Sequence, residues 1–241
     1  MDIPVWLEPN NCQFPDTRLA LQEPNGLLAV GGSLASDVLL SAYRQGIFPW
    51  YSDDQPLLWW SPDPRAVLFP EQLRISRSLR KTLKAGLFDI TLDNAFDQVI
   101  RACAATRSSP GPTGSDETGT WITGAMIDAY NQLHQLGYAH SVEVWQKNQL
   151  VGGCYGLAIG RVFFGESMFH RRRDASKVGF VHLVQHLIEQ GIRLIDCQQA
   201  TQHLESLGAT TIPRQHFIEL LGSYCNDETG RQAWQLSGSY P

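Results

Sequence analysis

Two short stretches place carboxylates where carboxylates are costly. Glu166 sits in Gly165-Glu-Ser-Met-Phe169 and Asp196 in Leu194-Ile-Asp-Cys-Gln198, each within an otherwise largely apolar, strand-like run. An acid in such a run needs donors or a cation, or it takes up a proton, so each is either a paired structural ion or part of a site. Gln198 follows Asp196 by two positions, which on a strand puts both on one face, able to bond each other or one ligand.

Cations gather in two places. Arg74, Arg77, Arg80, Lys81 and Lys84 have no acid among them, and helical spacing lines them along one side opposite Ile75, Leu79 and Leu83. Such a face is either a contact for a phosphate backbone or a solvated surface. Arg171-Arg-Arg173 precedes a helix expected from about Ala175, where unpaired N–H groups add to the attraction for an anion.

Other chemistries find little support. The five cysteines are far apart with no C-x-x-C pair and read as reduced, mostly buried thiols. The seven histidines form no metal-ligand motif, so no metal site is expected. Gly152, Gly153, Gly156, Gly160 and Gly165 are not in dinucleotide or P-loop order; they mark either bulges or close approach to a strand.

The elements that must position these residues fall into two regions. Residues 1–72 are rich in Pro, Gly and indoles and read as a small irregular domain packed by aromatic rings, with one helix from Ser33 or Ser36 to Gly46. Residues 73–241 carry longer periodic elements. Helices are expected over Arg74–Lys84, Asp93–Cys103, Trp121–Leu136, Ala175–Gln190 and Thr201–Leu207, and a polar, breaker-rich surface loop over 107–118. Strands are expected over His140–Trp145, Leu150–Ala158 and Arg161–Met168 as an antiparallel meander, and over Arg193–Gln198. The order is that of an α+β chain with a mixed sheet.

Composition bounds the class. With 43% hydrophobic and 18% charged residues the chain is globular. A net charge of −5 excludes an indiscriminate nucleic-acid binder but leaves room for a local basic patch. No apolar run approaches the roughly 18 residues of a membrane span, and the N-terminus lacks the pattern of an export signal; a soluble cytoplasmic protein is expected.

The wording of several motifs is specific. Glu23-Pro-Asn-Gly-Leu-Leu-Ala-Val-Gly-Gly32, Ala42-Tyr-Arg-Gln-Gly-Ile-Phe-Pro-Trp50, Trp59-Trp-Ser-Pro-Asp-Pro-Arg-Ala66 and Gly119-Thr-Trp-Ile122 stand in this order, followed by Leu150-Val-Gly-Gly153, the Glu166 and Asp196 blocks, and Ser206-Leu-Gly-Ala209. Together they resemble the bacterial leucyl/phenylalanyl-tRNA-protein transferases from about Phe14 to Phe217. The resemblance implies a GNAT-like C-terminal domain that uses no acetyl-CoA, and an N-terminal domain that helps to build an aminoacyl pocket. It implies transfer of Leu or Phe, and Met less well, from aminoacyl-tRNA to the N-terminal Arg or Lys of acceptor proteins, an input to N-end rule degradation. No cofactor is implied, and a monomer is expected. Carried over by position, Trp50 and Trp121 hold the terminal adenosine, while Tyr130, Phe163, Ile195 and Leu183 line the apolar pocket. Glu166, Asp196 and Gln198 form the polar catalytic trio, and the Arg74 to Lys84 face holds the tRNA body. Two readings of other classes stand beside this one: an acyl-CoA-dependent N-acetyltransferase, suggested by the order of sheet and helix, and a non-catalytic RNA-binding module.

Overall fold

The computed structural model describes residues 3–106, 121–226 and Trp234; the expected loop over 107–118 lies outside the described residues. The chain runs β1 (Val5–Leu7), β2 (Leu27–Gly31), α1 (Ser36–Arg44), β3 (Phe48–Pro49), β4 (Leu58–Trp60), β5 (Arg65–Leu68), α2 (Arg77–Lys84), β6 (Asp89–Leu92) and α3 (Phe96–Thr106). It continues with α4 (Gly124–Gln135), β7 (Ala139–Gln146), β8 (Gln149–Ile159), β9 (Val162–His170), α5 (Ala175–Glu189), β10 (Leu194–Gln198), α6 (Gln202–Ser206), β11 (Thr210–Ile212) and α7 (Arg214–Tyr224). This is the mixed α+β class expected. A small sheet has the order β1-β2-β4-β3 and a seven-stranded sheet the order β11-β5-β10-β9-β8-β7-β6.

The meander forms as the strand-like runs and turn residues predict. Lys147 and Asn148 both adopt positive φ, the two-residue turn whose twist suits a hairpin, and β7 and β8 pair antiparallel from Ala139↔Leu157 to Gln146↔Gln149. Helices cover both faces of the large sheet. Successive residues of a strand point to opposite faces: a Cβ at Gly152 would meet Ala175 of α5, and one at Gly153 would meet Val99 of α3. The α3 face continues through α4 and α1 into the rings of the small sheet as one apolar cluster containing Tyr43, Trp59, Tyr130 and Phe164. The α5 face is a second cluster, with Leu79 of α2 and Trp234.

Several boundaries differ from expectation for local reasons. Arg74 lies outside the basic helix, its N–H donating to the Leu207 carbonyl, and α2 starts after Ser76, whose hydroxyl accepts from the Leu79 N–H. Asp93 has positive φ and accepts from the Ser141 N–H, which delays α3 to Phe96. Trp121 precedes its helix, because the Thr123 hydroxyl caps α4. β5 lies before the expected boundary at residue 72, yet it is an inner strand of the large sheet between β11 and β10. The strands β5, β6 and β11 and the helix α7 were absent from the expected elements: the strands are only three or four residues long, too short to show a period.

Close packing of β8 on β9 gives a test. A Cβ at Gly156 would lie 2.2 Å from the Phe164 carbonyl oxygen, so Gly156→Ala is expected to destabilise by about 1–3 kcal/mol. Gly222 lies inside α7 with nothing within 4 Å of an added Cβ, and Gly222→Ala should stabilise by up to about 1 kcal/mol. Urea unfolding of both variants checks the pair of signs.

Candidate active site

The parallel strands β9 and β10 pair only as far as Asp196↔Phe164, after Leu194↔Val162 and Ile195↔Phe163. Beyond that point the two backbones part. The residues that follow on each strand, Gly165 to Met168 and Cys197 to Gln198, line a cavity of about 180 Å³. Its other walls are Phe48, Pro49 and Trp50 of the small sheet and its exit, Trp121, Phe180 and Leu183 of α5, and Thr201 and Leu204 at α6. The site thus opens where ladder pairing ends, and two aromatic segments distant in sequence close over it.

A buried ion pair sits at this fork. Arg65 of β5 donates from Nε and Nη2 to the two carboxylate oxygens of Asp196 at 2.8 and 2.6 Å, and the side chains are 1% and 0% exposed. Arg65 also donates to the Gly46 carbonyl at 3.2 Å and lies 4.7 Å from the ring centres of both Phe48 and Phe217. Every charge in the pair is matched, and rings exclude water from the guanidinium faces.

Asp196 in turn accepts the Gln198 N–H at 2.9 Å, and Gln198 takes a left-handed φ of 60°. A bulge in the β10–β5 pairing falls between Asp196 and Gln198. The expected side-by-side bond between their side chains is therefore replaced: Asp196 holds the Gln198 backbone, while the Gln198 amide nitrogen donates to Glu166 Oε1 at 3.0 Å. Asp196 is also not available to meet positive charge in the cavity, since Arg65 already neutralises it.

Glu166 is the extra residue of a bulge in β9, where Tyr155↔Ser167 is followed by Gly156↔Gly165. Tyr43 of α1 donates to its Oε1 at 2.7 Å and Tyr130 of α4 donates to its Oε2 at 3.0 Å, and the two phenols contact each other. Two hydroxyl protons serve only two of these three contacts when Glu166 is ionised. A protonated carboxyl supplies the third. Desolvation acts the same way and pushes the Glu166 pKa up to about 7 against the lowering effect of the two phenols. Burial and the nearby carboxylate keep both phenols un-ionised.

The other expected residues divide clearly. Trp50, Trp121, Phe163, Leu183 and Ile195 all line the cavity. Tyr130 does not; it is fully buried behind Glu166, so its place is to hold that carboxyl rather than to form the pocket surface. Arg74, Arg77, Arg80, Lys81 and Lys84 are all exposed, away from the cavity lining, on or just before α2, which packs on α5. Tyr43, Arg65, Phe180 and Met168 were missed. Tyr43 read as one more apolar-face ring of its helix, and Arg65 stood only as one residue of the long Trp59–Ala66 motif. Cys197 also lines the cavity, but burial pushes its thiol pKa well up, which denies it the thiolate needed for covalent catalysis.

The Glu166 shift has a consequence for stability. A carboxyl whose pKa rises on folding binds more protons in the native state, so the stability it contributes is lost as pH climbs from the unfolded value near 4.3 to about 7. Glu166→Gln lacks this titration. Between pH 5 and pH 8, urea unfolding should show wild type losing about 2–3 kcal/mol more than the variant; parallel curves would mean that Glu166 titrates normally.

The chain matches the family described as leucyl/phenylalanyl-tRNA protein transferase over residues 67–222, and that family's N-terminal domain over residues 32–63. The leucyl/phenylalanyl-tRNA-protein transferase of Stutzerimonas stutzeri is 58% identical over 220 residues, 91% of this chain and 94% of that one. The protein of the same name from Pseudomonas fluorescens is 55% identical over 230 residues, 95% and 98% of the two chains. Likeness to solved structures is faint: a GCN5-related N-acetyltransferase from Kribbella flavida aligns at 12% identity over 75% of this chain and 61% of that one, with a TM-score of 0.37, and carries no argument about activity. On the extent of the family match and these relatives, the chain belongs to the leucyl/phenylalanyl-tRNA-protein transferases, a family of aminoacyltransferases.

Proposed function

We propose that this chain transfers Leu or Phe, and Met less well, from aminoacyl-tRNA to the N-terminal Arg or Lys of acceptor proteins, and that it does so as a cytoplasmic monomer feeding N-end rule degradation. The observation that carries the reading is an apolar cavity with a hydrogen-bonded Glu166–Gln198 pair in its wall. Phe163, Phe180, Leu183 and Ile195 suit an apolar side chain, since a charged or hydroxylated one would lose its partners there. The Trp50 and Trp121 rings suit a stacked terminal adenosine. Among the described residues no helix is long and apolar enough to cross a membrane.

The reaction is an aminolysis. The acceptor α-amine attacks the ester carbonyl, a C–N bond forms, the bond to the ribose oxygen breaks, and the amine proton passes to that oxygen. An α-amine of pKa about 7.7–8.0 is partly neutral at pH 7, so no strong base is required. Because the Gln198 amide nitrogen is committed to Glu166, its carbonyl oxygen is the end left to accept from the amine. Glu166, titrating at about 7, can take up a proton from the amine and return one to the leaving oxygen. Asp196 acts one step back, by fixing the Gln198 backbone. Most of the acceleration is then positioning, which supplies up to about 7–11 kcal/mol in favourable cases.

Radiolabelled Phe-tRNA incubated with an Arg-initiated peptide tests the reading: label is expected in the peptide. Gln198→Ala should lower kcat by about 10–100-fold with a smaller change in KM for Phe-tRNA. Label transferred from acetyl-CoA but not from Phe-tRNA would instead support an acetyltransferase. For the tRNA body, Arg80→Ala with Lys84→Ala should reduce the slope of log affinity against log salt by about 1 to 2. An unchanged slope would remove α2 from the tRNA path.

A further inference from the structure

Trp234 is far from the cavity in sequence but not in space. Its side chain is only 9% exposed and belongs to the same apolar cluster as the cavity residues Phe163, Phe180, Leu183 and Ile195. The indole is stacked on His140, 3.8 Å between ring centres and 7° from parallel, and lies 5.9 Å from Phe163 and 5.0 Å from His186. His140 is itself fixed, with Nδ1 2.7 Å from Asp93 Oδ2; since the carboxylate accepts, Nδ1 carries the proton. The His186 ring nitrogens have no hydrogen-bond partner among the described residues, and burial keeps that ring neutral, so it meets the indole as an apolar surface.

Two groups that meet the Phe163 ring bear on its position. A Cβ added at Gly156 would stand 2.6–2.7 Å from its ring, which means that the β8 backbone already lies against it. The other is the Trp234 indole. We infer that Trp234 is a positioning residue that sets the depth of the apolar cavity by holding Phe163, and so helps to determine which side chains the cavity accepts. The inference rests on the reading that this cavity takes the aminoacyl side chain. In close-packed interiors a ring that loses a neighbour moves into the space left. Loss of the indole lets Phe163 retreat and deepens the cavity, which favours the larger aromatic substrate over the smaller branched one.

The test compares wild type, Trp234→Ala and Trp234→Phe in steady-state transfer from Phe-tRNA and from Leu-tRNA to an Arg-initiated peptide. Trp234→Ala should raise the Phe to Leu ratio of kcat/KM by about fivefold, through KM, with kcat within about twofold of wild type. Trp234→Phe, which keeps an aromatic ring against His140 and Phe163, should return the ratio to within about twofold. A loss of overall stability would lower both substrates alike and leave the ratio unmoved. Trp234→Leu carries the same test if the alanine variant does not fold, with a smaller shift expected. An unchanged ratio while wild type transfers both amino acids overturns this inference alone, whereas no transfer by wild type overturns the reading of the cavity and the inference with it.

Discussion

The site depends on one buried contact between opposite charges. Arg65 and Asp196 come from adjacent strands of the large sheet but from positions 131 residues apart, and each meets the other with almost no exposure to water. Removing either partner strands a charge in a ring-lined interior, a cost of about 3–5 kcal/mol. With both present, the pair ties β5 to β10 at the residue where β9 and β10 part. It draws in the Gly46 turn after α1 and the Phe217 ring of α7, and it fixes the backbone of Gln198 in a conformation that a non-glycine residue takes only when its surroundings hold it there.

From that anchor the polarity of the cavity follows. Asp196 is neutralised and serves as a support, so the group that titrates in the working range is Glu166, which has two phenols and an amide around it and no cation bonded to it among the described residues. This divides two acids of similar sequence surroundings into distinct tasks: a brace paired with a guanidinium and a carboxyl that can hold or release a proton near neutral pH. The division arises from environment: Asp196 is bonded to a guanidinium, whereas desolvation favours the neutral form of Glu166. The same arrangement keeps Cys197 inert although it lines the cavity.

Much of this organisation is legible in the order of residues. The β7–β9 meander follows from short strand-like runs separated by turn formers, Lys147-Asn148 taking positive φ in the first turn. α5 follows from its apolar spacing, and Glu166 and Asp196 stand out because carboxylates are rare in such runs. The long-range and irregular parts are not legible. No local pattern says that Arg65 pairs with Asp196, or that Tyr43 and Tyr130 meet over Glu166. The side-by-side expectation for Asp196 and Gln198 assumed a regular strand, and the bulge between them turns Gln198 toward Glu166 instead. Trp121 reaches the cavity because it lies before a helix cap rather than within the helix.

The most direct measurement is a crystal structure of the protein with a non-hydrolysable phenylalanyl-adenosine analogue in which an amide replaces the ester. The account predicts the benzyl group against Phe163 and Ile195, the adenine beside Trp50 or Trp121, and the reacting carbonyl within reach of Gln198 and Glu166. An analogue seated elsewhere, or one whose carbonyl faces away from those two side chains, would contradict it.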